Sequence, residues 1–162
     1  MLDTRTRKLT LAGILVAAAV LGGIFSFPVM GSRCAPMQHL VNILAAVFLG
    51  PLWAVGVAFS VSLLRNIAGV GSLMAFPGSM IGALCCGMVY YYTRRIGVTC
   101  VAEAFGTGLL GALAAYPVAA FLMGLNPANY TVYIVPFLLS TGVGSLLAYV
   151  LLGFLLPKIR RD

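Results

Sequence analysis

The stretch Val132–Pro157 carries not one charged side chain, and neither does Leu9–Phe25. Crossing a bilayer core of about 30 Å takes roughly 20 apolar helical residues. Gly78–Thr93 and Thr99–Met123 are further runs of this kind, the second interrupted by one acid. Composition removes the water-soluble alternative. Of the 162 residues, 62% are hydrophobic and 8% charged, and the mean hydropathy is +1.08. Soluble domains carry roughly 25% charged residues, so this chain has too few to cover a wetted surface. The same figures exclude a disordered chain, collagen and a disulfide scaffold. The net charge of +7 does not point to nucleic acid, because no basic stripe has aromatics interleaved with it. The basic residues stand at the ends of apolar runs, where membrane topology uses them. The chain reads as one all-α integral membrane domain over residues 1–162.

Pro36–Asn66 decides the number of spans. Its 31 residues are too many for one upright helix and few for two. Gly50-Pro51 in its middle is a helix stop followed by a helix start. Lys and Arg favour the cytoplasmic side. Two short helices here put three basic clusters inside: Arg5/Arg7/Lys8, Arg94/Arg95 and Lys158/Arg160/Arg161. One kinked helix puts the last two outside. The expectation is six transmembrane helices, at about 9–26, 36–49, 51–67, 77–93, 99–123 and 132–157, with both termini cytoplasmic. The first apolar run exceeds a signal peptide's usual core of roughly 7–15 residues, and Arg33 before Cys34 does not suit a lipoprotein site. It is expected to stay as a helix. Phe27–Ala35, Ala68–Pro77 and Gly124–Thr131 then form longer outer loops, and Gly50-Pro51 and Arg94–Val98 form tight inner ones. Moving parts are expected on the outer face.

Polar groups at membrane depth are costly and face a cavity or another helix. Gln38, His39 and Asn42 share one strip of the second helix. An interfacial cap is one reading; the convergence of two amides and an imidazole favours a ligand site. Arg65 and Asn66 close the third helix, where an arginine complements the helix dipole or reaches into the cavity. Ser72, Phe76 and Ser79 lie in Gly69–Gly82, a glycine-rich string that lets backbone approach a small ligand or simply turns tightly. Tyr116, beside Pro117, is a deeper cavity candidate than Tyr130 and Tyr133, which also suit an interfacial belt. Asn129, Ser140 and Thr141 share this outer half. Glu103, the one acid inside a span, is expected near the cytoplasmic side with Arg94 or Arg95 as partner, or in a coupling role. Gly13/Ala17 and Ala18/Gly22 give the first helix small-residue faces for close packing.

Several chemistries are not supported. Cys85 and Cys86 are adjacent and diverge, Cys34 and Cys100 fall on opposite sides, and tetrahedral zinc spacing is missing. No phosphate-binding loop is present, so the chain is not expected to hydrolyse ATP or hold a cofactor. An intramembrane enzyme using His39 as base lacks a nucleophile on the same face.

Six strings together resemble a known family: Pro36–Asn42 (PMQHLVN), Leu49–Trp53 (LGPLW), Ser62–Asn66 (SLLRN), Gly71–Gly82 (GSLMAFPGSMIG), Glu103–Gly108 (EAFGTG) and Tyr116-Pro117-Val118. The chain resembles the substrate-binding S components of energy-coupling factor (ECF) vitamin transporters, most closely the ThiW type, assigned to the thiamine precursor hydroxyethylthiazole. The resemblance implies a six-helix bundle in a prokaryotic cell membrane that captures its ligand from outside. A membrane T component and two cytoplasmic ATPases would use the ATP. It also implies that Gly13, Ala17 and Ala18 dock the T component, and that Phe27–Ala35 is a gate. A small neutral heterocycle needs an apolar slot with two or three hydrogen bonds, which Gln38, His39 and Asn42 can supply, with Phe76, Tyr116 or Tyr133 against the ring. S components for thiamine or another small vitamin are alternatives. A standalone secondary transporter is another, and would need a coupling acid, for which Glu103 alone qualifies.

Overall fold

The computed structural model describes residues 4–29 and 32–159; the side chains of Lys158 and Ile159 lie outside the described residues, as do Gly31, Arg160 and Arg161. The described residues form six helices: α1 (Thr4–Gly22), α2 (Pro36–Phe48), α3 (Pro51–Ile67), α4 (Ala75–Thr93), α5 (Ile96–Leu122) and α6 (Ile134–Ile159). A short 3-10 turn, Gly23–Phe25, extends α1. An addition to the all-helical expectation follows: two three-residue strands, β1 (Phe27–Val29) and β2 (Ser32–Cys34), pair antiparallel with Phe27 opposite Cys34.

Local chemistry explains the boundaries. Pro36 and Pro51 open α2 and α3, at the first turn, where a missing N–H costs nothing. Gly50 between them has φ +95°, a conformation that side-chain-bearing residues rarely adopt. The run 36–66 is therefore two helices. Arg94 ends α4 in the left-handed region. Inside α5 the turns Gly106–Gly111 and Val118–Leu122 widen to π-helical geometry. Pro117, which offers no N–H to the ladder, stands immediately before the second.

Among the described residues, three helical segments are long and apolar enough to cross a membrane: Thr4–Phe25, Ile96–Leu122 and Ile134–Pro157. Only 22%, 39% and 33% of their most apolar windows are buried within the protein. The remainder presents side chains such as Leu9, Ile14, Phe121, Leu146 and Phe154 outward, while Asn42, Thr99, Glu103, Thr107 and Thr141 are buried. Apolar outside and polar inside is what a lipid solvent selects. α2 is different. Every residue from Gln38 to Ala46 is buried, and 13 residues make a helix only about 20 Å long. It is the short central post around which the others pack.

The α4–α5 crossing is made by glycines. A Cβ on Gly111 would stand 2.6 Å from Gly78 Cα, and one on Gly106 3.0 Å from Gly82 Cα. This approach carries the side chains of Glu103 and Thr107 against Gly82. The same close-packing logic operates wherever small residues let helices meet in lipid.

Candidate functional site

The buried polar residues of α2 engage different neighbours. Gln38 Nε2 donates to Ser62 Oγ on α3 at 2.9 Å, and its Oε1 accepts from Arg65 Nη1. His39 Nδ1 lies 3.1 Å from Glu103 Oε1 on α5. Asn42 Nδ2 donates to that same oxygen at 3.0 Å and to the Ser79 carbonyl of α4 at 3.2 Å. Thr107 Oγ1, one turn after Glu103, stands 3.1 Å from the carboxylate and 3.3 Å from the Gly78 carbonyl. Four helices are thereby tied through one post. Glu103 is completely buried, and its neighbours reduce the large cost of burying a carboxylate by hydrogen bonding.

Above this cluster lies a cavity lined by Gln38, His39, Ser79 and Thr107 below, with Met74 and Phe137 as apolar walls and Ser32, Arg33 and Ser72 nearer the hairpin. The space between its walls, counted out through the open mouth, is about 430 Å³ and narrow throughout. The space is a slot, so a ring entering it must spread the walls. The β1–β2 hairpin seals one side. The backbone N–H of Ala35 donates to Ser140 Oγ at 2.8 Å, and Cys34 Sγ to the Pro136 carbonyl at 3.2 Å. Burial pushes the Cys34 thiol above its usual range.

Arg65 is 2% exposed, yet no carboxylate faces it among the described residues. Its guanidinium donates to Gln38 and to the Val70 carbonyl, the latter at 3.2 Å. It thus pins the α3–α4 loop to α2. Asn66 Nδ2 donates to the carbonyls of Ser62 and Ser72, which fixes the same loop. Three buried oxygens at the site, Asn42 Oδ1, Ser79 Oγ and Glu103 Oε2, have no protein partner among the described residues. Buried polar atoms are normally satisfied. Ser79 lines the cavity, so its hydroxyl is held ready for something that enters.

Of the sequence candidates, Gln38, His39, Arg65, Ser72, Ser79 and Ser140 line the cavity. Asn42 and Asn66 stand behind it. Phe76 packs on Phe59 with ring centroids 5.7 Å apart, and Tyr116 on Tyr130 at 4.0 Å. Tyr133 packs on Phe137 at 6.4 Å. None of these three candidates lines the slot; Phe137 is the aromatic wall. Glu103 is corrected in its expected partner, Arg94 or Arg95. It pairs with His39, while the Arg94 guanidinium lies over the rings of Tyr90 and Tyr91, 5.6 and 5.9 Å from their centroids. Because α2 is short and buried from Gln38 to Ala46, its first turns meet the interior of α5 rather than a membrane surface. Sequence reasoning missed Ser32, Arg33, Met74, Thr107 and Phe137. Only Thr107, four residues after Glu103, had a spacing that could have shown it.

On α1, Gly13, Ala17 and Ala18 are exposed. A Cβ on Gly13 would touch nothing within 4 Å. Gly13 borders a shallow groove shared with Val16, Trp53, Gly56 and Ser60 of α1 and α3. No set of three or more His, Cys, Asp or Glu side chains among the described residues could hold a metal.

Comparison with individually curated proteins gives no match. The family model described as thiamine-precursor transporter protein (ThiW) matches residues 9–158. Nearly the whole bundle, cavity included, falls inside that match, and the chain belongs to the ThiW family of thiamine-precursor transporters, which are transport proteins and not enzymes.

Proposed function

We propose that this chain is the S component of an energy-coupling factor importer, and that its cavity takes hydroxyethylthiazole from outside the cell. All six helices would be set in a prokaryotic plasma membrane with both termini cytoplasmic. A T component and two ATPases would supply the energy. The observation that carries the reading is the slot itself: the apolar side chains of Met74 and Phe137 line it together with His39, Gln38 and Ser79. A small neutral ring with one ring nitrogen and one hydroxyl matches that mixture of apolar area and few hydrogen bonds. Intact thiamine matches it less well. Its thiazolium is cationic, and the charged groups lining the slot are the guanidiniums of Arg33 and Arg65.

Loading requires the β1–β2 hairpin to part from α6, because Ser32 and Arg33 line the slot and Cys34 and Ala35 are bonded to that helix. Two hydrogen bonds, that of the Ala35 N–H worth about 1 kcal/mol net and that of the Cys34 thiol weaker, make a latch that a ligand can reset. The exposed small residues Gly13, Ala17 and Ala18 would receive the T component.

Calorimetric titration of the purified protein in detergent tests the reading. Tight binding of hydroxyethylthiazole and weaker binding of thiamine is the expected result. Binding of thiamine alone would reassign the ligand. The buried Glu103 favours one competing mechanism, a carrier that works without partners; uptake of the thiazole into liposomes by the lone protein would establish that instead.

A further inference from the structure

His39 is the one histidine of the chain. Its Nδ1 faces Glu103 Oε1, which also receives the Asn42 amide N–H. The orientation of Asn42 is set twice over, because its Nδ2 also faces the Ser79 carbonyl. An amide nitrogen can only donate, so Glu103 Oε1 is an acceptor. Nδ1, facing an acceptor, carries the proton, and the partner of one ring nitrogen fixes the role of the other. Nε2 has no protein partner among the described residues, and His39 lines the slot. In the neutral ring Nε2 is then a bare lone pair. Of the other polar groups lining the slot, Arg33 and Arg65 cannot accept, the Gln38 amide is already held by Ser62 and Arg65, and the serine and threonine hydroxyls can donate as well as accept.

We infer that Glu103 is a positioning residue for specificity: it holds His39 as the Nδ1–H tautomer, so that Nε2 accepts a hydrogen bond from the ligand's hydroxyl and the slot selects alcohol-bearing heterocycles over those lacking that proton. The inference rests on the thiazole reading above. Hydroxyethylthiazole has one O–H and no other donor, so this bond orients it hydroxyl-down, with the ring between Met74 and Phe137.

The test uses three probes, hydroxyethylthiazole, its methyl ether and the ethyl analogue lacking the hydroxyl, with ¹⁵N-histidine labelling of the protein. A single labelled side chain reports the tautomer with no ligand present. The wild type is expected to show Nδ1–H, and to bind the alcohol roughly 10–100-fold more tightly than either analogue, the range for leaving one buried acceptor unpaired. Glu103→Leu removes the acceptor; the tautomer should be lost and the preference should collapse toward unity. Glu103→Gln keeps an oxygen for Nδ1–H and should restore both. A wild-type spectrum showing Nε2–H or the imidazolium at neutral pH overturns the inference. So does a Gln variant that behaves like the Leu variant, since charge rather than tautomer would then be responsible. Binding of none of the three probes by wild type refutes the thiazole reading, while the spectrum still decides the tautomer.

Discussion

Gly23 stands against the guanidinium of Arg65: a Cβ at residue 23 would come within 2.6 Å of Nε and 3.3 Å of Cζ. The last turn after α1 thus closes the space in which the α3 arginine holds Gln38 and Val70. Gly23→Ala should push the guanidinium off these partners. We expect hydroxyethylthiazole binding to weaken roughly tenfold, about the worth of one lost hydrogen bond. Titration of the variant checks it, and undiminished affinity would mean that Arg65 does not order the slot.

Asn42 touches no part of the cavity yet holds Glu103 and the Ser79 carbonyl. Asn42→Ala leaves a buried carboxylate short of a donor and a carbonyl unpaired. A loss of about 2–3 kcal/mol is expected, read as a lowered melting temperature in detergent. Ligand affinity should also fall, through a displaced Ser79. A variant as stable as wild type would show that Glu103 does not depend on this amide.

Ala17→Trp should behave in the opposite way. Residue 17 is exposed, so the bulky ring displaces nothing in the isolated chain, and surface changes of this kind usually stay within about 0.5 kcal/mol. Ligand binding is expected to persist while co-purification with a T component is lost. Survival of that complex would remove α1 as the docking face.

Cys34 offers a probe of the hairpin. Burial raises its pKa, and the thiolate is the reactive form. At neutral pH the group therefore stays protonated and shielded, and reactivity rises only as pH climbs through the raised value. With Cys85→Ala, Cys86→Ala and Cys100→Ala in place, maleimide labelling of the folded protein at pH 7.5 should be far slower than after unfolding in SDS. Equal rates in both states would show that the hairpin is not closed on α6.

What could be read in advance was whatever announces itself locally. Pro36, Gly50 and Pro51 mark their boundaries by backbone chemistry alone, and Gln38, His39 and Asn42 stand out because polar side chains contrast with an apolar helix. Met74 and Phe137 offer no such contrast; in a chain this apolar, a wall of the slot looks like any lipid-facing residue. The strands holding Ser32 and Arg33 are three residues each, too short for a periodic signal. Glu103 was legible as an anomaly but not its partner, because His39 lies 64 positions away and only the glycine-lined α4–α5 approach, with α2 as a short post, brings them together.

The wide turns of α5 have a consequence for how this chain tolerates change in length. A π-helical turn holds one more residue than the α-helical path it replaces and is typically a local bulge. Loss of the exposed Leu110 within Gly106–Gly111 would tighten the coil to ordinary pitch while Ile96–Phe105 and the segment from Ala112 onward keep their faces toward α4 and α6. A one-residue deletion there should be survivable, whereas the same deletion in α2, buried from Gln38 to Ala46, would rotate His39 and Asn42 away from Glu103.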